Sequence, residues 1–495
     1  MRSPSEPASP RRRLTQPRPA QPSPGQPPLR LRLAASHLRD RSDVLFYLAL
    51  IALPVDGTVI GPYAPFWSPI SPWLFLVYVL ANPGALRVVY RRWRVWFLLP
   101  AALVVLSAPG WTCVAFHPVP AVTSLMAVVG ALACLAALDV ALHVKRLPWR
   151  PMVGIVLAAY WFAFAVGALQ WAAARLELGA VLWYFDHLML RSYVSSTPPW
   201  GGGRPQFLFA EPSYIGMHLF GVLLPLMWLT RGRDSVLAHR LRTLIAVFSV
   251  GAVVMGAGVR IILDALVALV VVIVECTRWH DAADRRRGVV RLAGAAVLGV
   301  LSIVANSRLS SIVHHGADGD GSFFARIYQS LGPLCGLLRR PLYLLTGFGA
   351  GNIDDATKAG ADAASSLLAA FGFDPSPASA WFASMTPDTV WTMCAYTSFL
   401  TEYGLTGLAL VVVLVIRHIV TVCRTSVEPV FGDGSAVAGP ACGSTADIPG
   451  MRSWRKTLVC WTVLVAYLYI QFEGYAFAAL PMLVWAAPLV ARRRV

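Results

Sequence analysis

Charged residues are scarce in this sequence. Only 14% of its 495 residues are Asp, Glu, Lys or Arg, whereas a soluble chain of this size carries roughly 25%. Hydrophobic residues make up 57% and gather in long runs such as 261–274 and 405–416. About 20 mostly apolar residues are enough to cross a bilayer as a helix. The composition therefore excludes a soluble globular protein and predicts a helical protein that crosses a membrane many times.

Three further absences exclude other classes of protein. The eight cysteines show no CxxC pair and no metal-ligand spacing, so we expect no metal site and interpret most of them as small apolar residues. Cys335 and Cys394 share one predicted outer loop, and a disulfide between them stays open. No GK[ST] element is present, which argues against a nucleotide-binding loop. No apolar segment precedes Val44, so we expect no cleavable signal peptide. Residues 1–43, rich in Pro, Arg, Ser and Gln, instead predict a disordered cytoplasmic tail.

Hydropathy divides the rest of the chain into about twelve membrane-spanning helices. The first nine occupy 44–306, with a periplasmic segment at 175–205, and the last three occupy 395–491, with a cytoplasmic loop at 417–456. A large periplasmic loop, 307–394, lies between the two groups, and 492–495 form a short cytoplasmic end. We place the spans near 44–61, 66–82, 95–112, 120–144, 151–174, 206–229, 243–259, 261–277, 289–306, 395–416, 457–472 and 475–491. The predicted fold class is an all-α polytopic membrane protein.

The basic residues predict the orientation of the chain. A net charge of +17 is typical of nucleic-acid-binding proteins when the charge forms a patch. Here 33 of the 42 Lys and Arg residues fall on one side of the predicted spans, which is the pattern of cytoplasmic segments. We therefore expect no nucleic-acid partner, a bacterial inner-membrane location and two cytoplasmic termini. The outer side keeps Arg175, Arg191, Arg204, Arg260, Arg308, Arg326, Arg339, Arg340 and Lys358.

The most informative outer segment is RPQFLFAEPSYIG, residues 204–216. Arg204 ends an outer loop, and Glu211 follows about two helical turns later within an otherwise apolar block. Pro212 and Ser213 come directly after it, and a proline inside a spanning helix kinks the helix and frees backbone carbonyls. Charges at membrane depth are costly and are functional candidates by default. We expect this segment to line a cavity.

Three other segments place charges at the same boundary. GAGVR ends in Arg260, which is spaced to pair with Asp264 on one helix face. The block PLYLLTGFGAGN is rich in glycine, so its backbone N–H groups are free to approach an anion. Apolar residues between 323 and 338 recur at helical spacing and predict a helix that lies on the membrane or packs within the loop. Arg326, Arg339 and Arg340 precede the glycine-rich block and belong to the same segment of the loop. The last segment, FLTEYGLTG, places Glu402 one or two turns inside the tenth predicted span. With Arg260, these residues are the charged candidates of the three segments.

These residue types fit one kind of chemistry. The arginine fork donates two parallel hydrogen bonds, a geometry that matches diphosphate oxygens. A lipid diphosphate enters from the bilayer, so its ligands are expected at the depth of the headgroups. A desolvated glutamate there can accept the proton of a sugar hydroxyl. The combination predicts transfer of a glycosyl group with diphosphate as the leaving group.

In their order along the chain, these four segments resemble the O-antigen polymerase and ligase superfamily, specifically its Wzy-type polymerases. The resemblance covers about 200–416, and F-x-EPS is its most specific block. It implies a GT-C-like membrane glycosyltransferase that moves a growing glycan from undecaprenyl diphosphate onto the next lipid-linked repeat unit, without metal, cofactor or nucleotide sugar. Membrane lipid, a chain-length regulator and a flippase are the implied partners. The implied diphosphate ligands are Arg204, Arg260, Arg326 and Arg340, with Glu211 and Glu402 as candidate bases.

Two alternatives stay open. Ligases of the superfamily carry a histidine late in the large loop, whereas this chain has none between 316 and 417, which favours a polymerase over a ligase that transfers glycan to lipid A-core. A lipid-linked oligosaccharide flippase is the non-enzymatic alternative. A flippase is expected to carry charges throughout the depth of its spans, but here the charges gather at the two edges.

Overall fold

The computed structural model describes residues 40–61, 67–195, 202–231, 234–316, 320–389, 392, 394–424 and 449–470. Regular structure in these ranges is helical, and one isolated bridge between Thr58 and Met189 is their only β contact. The all-α prediction is therefore confirmed over the described residues. The predicted span 475–491, the end 492–495, nearly all of the tail 1–43 and most of the loop 417–456 lie outside them.

The first half of the chain forms one series of helices. Two wide π-helical turns, Val140–Val144 and Met217–Leu223, and a short 3₁₀ turn, Pro212–Tyr214, extend the neighbouring α-helices. The α-helices are α1 (Asp43–Ile51), α2 (Ser71–Leu80), α3 (Pro83–Phe97), α4 (Leu99–Cys113), α5 (Pro118–Asp139), α6 (Trp149–Arg175), α7 (Gly179–Leu188), α8 (Leu224–Thr230), α9 (Ser235–Val254), α10 (Val259–Cys276) and α11 (Ala282–Ala305).

The predicted loop 307–394 is itself largely helical. Its helices are α12 (Ser307–His315), α13 (Gly321–Arg339), α14 (Pro341–Thr346), α15 (Ile353–Ala370) and α16 (Ser376–Ser384). Two further helices follow, α17 (Ala395–Arg424) and α18 (Pro449–Tyr469). The helical spacing predicted between 323 and 338 is confirmed by α13. This helix packs closely on α15, because a Cβ atom at Gly336 would lie 2.1 Å from the carbonyl oxygen of Ala356.

Seven described helical segments are long and apolar enough to cross a membrane: Pro83–Cys113, Pro118–Val144, Trp149–Arg175, Pro212–Thr230, Ser235–Val254, Ala282–Ala305 and Ala395–Thr421. The protein is therefore a multi-span membrane protein. Helix α10 has a comparable length but carries Arg260, Asp264 and Glu275. Of all these segments Pro212–Thr230 is the most enclosed, with 83% of its most apolar stretch buried against 11% for Ala282–Ala305.

The first two predicted spans are shorter as helices than the hydropathy pattern indicates. Helix α1 has nine residues, and the remainder of the predicted span 44–61 is irregular. Pro54 and Gly57 interrupt the helical pattern there, since proline lacks the N–H that a helix needs. A Cβ atom at Gly57 would lie 2.4 Å from the carbonyl oxygen of Phe209. The irregular segment therefore runs against the chain that leads into Glu211.

Candidate functional site

The site begins with an irregular turn, residues 206–210, that leads into the most buried span. Phe207 has φ +62°, a left-handed conformation that is costly for a bulky residue unless its surroundings enforce it. The buried Gln170 side chain accepts from Phe207 N at 2.7 Å and donates to Phe207 O at 2.7 Å. Gly167 leaves room for the Phe207 ring, because a Cβ atom there would lie 1.9 Å from that ring. The sequence around Glu211 is thus held in one conformation.

A buried carboxylate holds the end of the same turn. Asp56, only 1% exposed, accepts from the backbone N–H of Ala210 at 2.8 Å. Its other oxygen lies 3.1 Å from Nε2 of His218, and Nδ1 of His218 lies 2.8 Å from the hydroxyl of Tyr160. A buried carboxylate is costly unless hydrogen bonds compensate it. This network joins the irregular segment after α1, helix α6 and the start of the buried span, and it holds Ala210, the residue before Glu211.

Glu211 lies just before the helical part of the span and not inside it, as the predicted span 206–229 implied. Its backbone is extended, with φ −143° and ψ +153°, and the 3₁₀ turn begins at Pro212. The predicted proline kink is therefore wrong: proline starts the helix, where its missing N–H costs nothing. One oxygen of Glu211 pairs with Arg191 Nη1 at 2.8 Å, and the other accepts from Ser213 Oγ at 2.8 Å. The Glu211 side chain keeps 14% of its surface exposed.

Tyr193 contacts both Arg204 and Glu211 and so links these two candidates. The Arg204 guanidinium lies over the ring of Tyr193, 5.2 Å from its centroid, which is cation–π distance. Burial, followed by the negative charge of Glu211, raises the pKa of Tyr193 above its ordinary value, while Arg191 opposes the shift. The Tyr193 hydroxyl therefore remains protonated beside the carboxylate. Tyr193 and Arg191 connect two candidates that are seven residues apart in the chain.

The third candidate, Arg260, begins helix α10. Its Nε donates to Asp264 Oδ1 at 3.1 Å, which confirms the predicted pairing along one helix face. The Tyr467 hydroxyl of α18 donates to the same oxygen at 3.0 Å. Asp264 also contacts the Glu211 segment closely, because a Cβ atom at Gly216 would lie 2.0 Å from Asp264 Oδ2. Glycine at 216 is what allows the two segments to meet.

Arg326 of α13 completes this group. It lies close enough to Arg260 and Asp264 to repel the first and attract the second. The large loop thus brings a second guanidinium to the start of α10. The structure brings Arg204 and Glu211 into one set of contacts through Tyr193 and places Arg260, through Asp264, against Gly216. Arg326 lies within electrostatic range of Arg260 and Asp264. We call the following set the arginine cluster: Arg191, Arg204, Glu211, Arg260, Asp264 and Arg326.

Glu402, the second candidate base, takes part in a different set of contacts. It is fully buried, and its Oε1 accepts from the Ser124 hydroxyl and from the backbone N–H of Gly351 at 2.9 Å. Its own carbonyl oxygen accepts from Gly349 N at 3.0 Å. The glycine-rich block does bring backbone N–H groups to an anion, as predicted, but that anion is Glu402. The contacts describe a structural carboxylate that joins the loop to α17 and α5.

Arg340 contacts the same glycine-rich block. Its guanidinium lies 6.0 Å from the ring centroid of Tyr343, and Tyr343 packs against Phe348 inside the block. The preceding Arg339 is exposed and lies 3.9 Å from Asp362 on α15. Within the described residues, neither arginine contacts the arginine cluster.

The glycines of the block carry a testable structural requirement. Gly347 has φ +80°, and a Cβ atom there would lie 2.1 Å from the carbonyl oxygen of Glu402. Gly347→Ala should cost about 1–2 kcal/mol for the left-handed conformation and about 1–3 kcal/mol more for the clash. Gly372→Ala is the matched control, with φ +82° and nothing within 4 Å. Thermal unfolding in detergent should show the larger loss for Gly347→Ala; equal losses would contradict the described packing.

The contacts of Glu402 predict a stability effect of their own. Glu402→Ala leaves the Ser124 hydroxyl and the Gly351 N–H without their acceptor, at about 1–3 kcal/mol for each buried group. Glu402→Gln keeps the Oε1 acceptor and should retain most of the stability. The midpoint of thermal unfolding checks both variants. A Glu402→Ala protein as stable as the wild type would show that this carboxylate does not secure the loop.

Sequence reasoning missed several residues of the site. Arg191 counted only as one of nine outer basic residues, and Asp56, His218 and Tyr193 drew no comment. Two signals pointed to them: Asp56 is a charge inside a predicted span, and His218 follows EPSYIGM directly in an apolar segment. Arg191 and Tyr193 carry no comparable pattern, because their roles depend on a loop that folds back on residues 204–211.

No family profile, curated protein or solved structure matches the chain. The fold and the site define a multi-span helical membrane protein that has a helical loop and a group of arginines at one end of its most buried span.

Proposed function

We propose that this chain is a membrane glycosyltransferase that polymerises lipid-linked polysaccharide. It transfers a growing glycan from undecaprenyl diphosphate onto an incoming lipid-linked repeat unit, with inversion, at the periplasmic face of the bacterial inner membrane. The observation that carries the proposal is the arginine cluster at the N-terminal end of Pro212–Thr230. Its members come from three separate parts of the chain: the loop before the span, the start of α10 and the large loop helix α13.

The charge of the cluster fits a diphosphate. Four arginines, Arg191, Arg204, Arg260 and Arg326, accompany two carboxylates, Glu211 and Asp264, so two positive charges are in excess. A diphosphate esterified at both ends carries two negative charges. Arginine binds such oxygens through its planar fork, and a partly buried site strengthens the attraction relative to water. Arg260 and Arg326 repel each other, so an anion between them would relieve that repulsion.

The proposed reaction needs one base and one group of anion ligands. The acceptor hydroxyl attacks the anomeric carbon of the donor glycan, and the bond from that carbon to the diphosphate oxygen breaks. The electron pair leaves with the diphosphate, where Arg260 and Arg326 stabilise the added charge. The proton of the hydroxyl goes to Glu211, which Ser213 and Arg191 hold in place. Glu211 suits this role better than the fully buried Glu402, because part of its side chain is exposed.

The finer features of the fold belong to the same proposal. Twelve spans, a GT-C-like arrangement and two cytoplasmic termini are consistent with the charge distribution, which puts 33 of 42 basic residues on one side. The proposed partners are the undecaprenyl-diphosphate-linked oligosaccharide, membrane lipid, a chain-length regulator and a flippase. The proposed chemistry uses the arginines and one carboxylate of the chain itself and requires no cofactor.

Deletion of the gene separates the candidate functions. Under the proposal, the deletion strain accumulates lipid-linked single repeats at the periplasmic face and loses long-chain polysaccharide, as resolved on a gel of carrier-linked and released glycans. Long polymer that stays on the carrier would contradict the proposal and indicate a ligase. Single repeats that stay at the cytoplasmic face would indicate a flippase.

A further inference from the structure

Three metal-ligating side chains meet where α15 contacts the turn between α4 and α5. His117 precedes α5, and Asp354 and Asp355 lie in the first turn of α15. His117 Nε2 is 3.0 Å from Asp355 Oδ2 and 4.0 Å from Asp354 Oδ1. One ligand atom from each of the three residues lies within 4.8 Å of the others. This trio is separate from the arginine cluster and from the proposed reaction.

The environment of Asp354 gives a second, independent indication that this site binds a cation. Its side chain is only 1% exposed, and its Oδ1 atom is buried without a hydrogen-bond donor. The other oxygen lies 3.5 Å from Lys358 Nζ, a cation that is half exposed. Burial, followed by the charge of Asp355, raises the pKa of Asp354, with Lys358 and His117 opposing the shift. A buried carboxylate oxygen without a donor costs free energy, and it faces the imidazole of His117.

We propose that His117, Asp354 and Asp355 bind one divalent transition-metal ion, with Zn²⁺ as the expected ion. One imidazole nitrogen and two carboxylate oxygens belong to the ligand set that zinc accepts, with water at the fourth position. Calcium and magnesium prefer sites made of oxygen alone. The sequence spacing does not predict this site, since His117 and Asp354 are more than 200 residues apart and meet only in the fold.

The trio lies where a bound ion would join two distant parts of the chain. Asn352, two residues before Asp354, donates to the carbonyl oxygen of Ala115 at 2.7 Å and so joins the same two segments. Asn352 also directly follows Gly351, which donates to Glu402. A bound ion would therefore fix the start of α15 on the α4–α5 turn and secure the glycine-rich block. This inference does not depend on the proposed glycosyl transfer.

Metal analysis of the full-length protein tests the site. After purification in detergent, dialysis against EDTA and incubation with Zn²⁺, the wild type should retain about one zinc ion per chain, as expected for a single site. Loss of a residue that only hydrogen-bonds to a metal ligand weakens metal binding by about 10–100-fold. His117→Ala and Asp354→Asn each remove a direct ligand, so each should weaken zinc binding by more than that. His187→Ala and Asp362→Asn, both at exposed positions, are the matched controls and should bind as the wild type does.

Two outcomes would overturn the proposal. One is a wild-type protein that retains no zinc above the detergent blank; the other is a pair of ligand variants that bind zinc as tightly as the controls do. Hydrogen exchange on the wild type covers the case in which the variants fail to fold. Removal of zinc should speed exchange in 352–358 while leaving 259–276 unchanged, and no difference with and without zinc would also contradict the site.

Discussion

Replacement of Arg260 with alanine is expected to abolish polymer growth while leaving the protein in the membrane. Arg260 and Arg326 are the pair proposed to stabilise the departing diphosphate, and loss of one such electrostatic contact lowers a rate by about 10²–10³-fold. The measurement is the length distribution of glycans in a deletion strain that expresses the variant, together with the amount of protein in the membrane fraction. Arg175→Ala, at an exposed arginine of the predicted periplasmic segment 175–205, is the matched control and should give wild-type chain lengths.

A second variant distinguishes the proposed binding of diphosphate by Arg260 from its structural role as the partner of Asp264. Arg260→Ala alone leaves the buried Asp264 without its nearest cation, and an uncompensated buried charge can destabilise a protein by about 3–5 kcal/mol. The double variant Arg260→Ala with Asp264→Asn removes that charge and should be more stable to thermal unfolding than Arg260→Ala alone, without restoring chain growth. Recovery of long polymer in the double variant would mean that Arg260 serves only to neutralise Asp264.

Glu211→Gln is expected to have an effect of similar size for a different reason. Glutamine keeps the shape of the side chain and one acceptor oxygen for Arg191, and its amide group can donate to the Ser213 hydroxyl, but it cannot take up the proton of an acceptor hydroxyl. Loss of a general base lowers a rate by about 10²–10⁴-fold. Purified protein should still bind the lipid-linked substrate, so the loss should appear in turnover and not in binding.

The matched control for Glu211→Gln is Glu177→Gln, an exposed outer glutamate. The comparison with Glu402→Gln decides which carboxylate acts as the base. If Glu402 secures the glycine-rich block as its contacts indicate, Glu402→Gln keeps chain growth while Glu211→Gln does not. The opposite result would assign the proton transfer to Glu402 and leave Glu211 as a partner of Arg191.

Hydropathy predicted long apolar helices, and seven described segments are long and apolar enough to cross a membrane. Such helices are visible in a sequence because a helix that faces lipid must be apolar over its whole length. The pattern says less about segments enclosed by other helices. Residues 44–61 are apolar enough for a span, yet helix α1 ends at Ile51. The rest of that segment carries Asp56, whose hydrogen bonds to Ala210 and His218 depend on a distant part of the chain. Local composition cannot report such partners.

The candidate site shows the same division. Charges at the predicted outer boundary were visible in the sequence. The structure brings Arg204, Glu211 and Arg260 to one short segment, with Arg326 within electrostatic range of Arg260. Sequence spacing could not show that Arg191 pairs with Glu211. Nor could sequence spacing show that Glu211 and Glu402 have different roles, because both are carboxylates in apolar segments, one beside a proline and a serine and the other beside glycines. Glu211 is partly exposed and Glu402 is fully buried, and this difference arises only when the large loop packs on the spans.

Reconstitution tests the central claim most directly. The purified chain, placed in liposomes with undecaprenyl-diphosphate-linked repeat units as the only glycan, should produce a ladder of carrier-linked products that increase by one repeat unit per step. Each step should release one undecaprenyl diphosphate, and the Arg260→Ala protein should produce no ladder. If the wild type binds the substrate in this system but leaves every glycan a single repeat long, the polymerase account is contradicted.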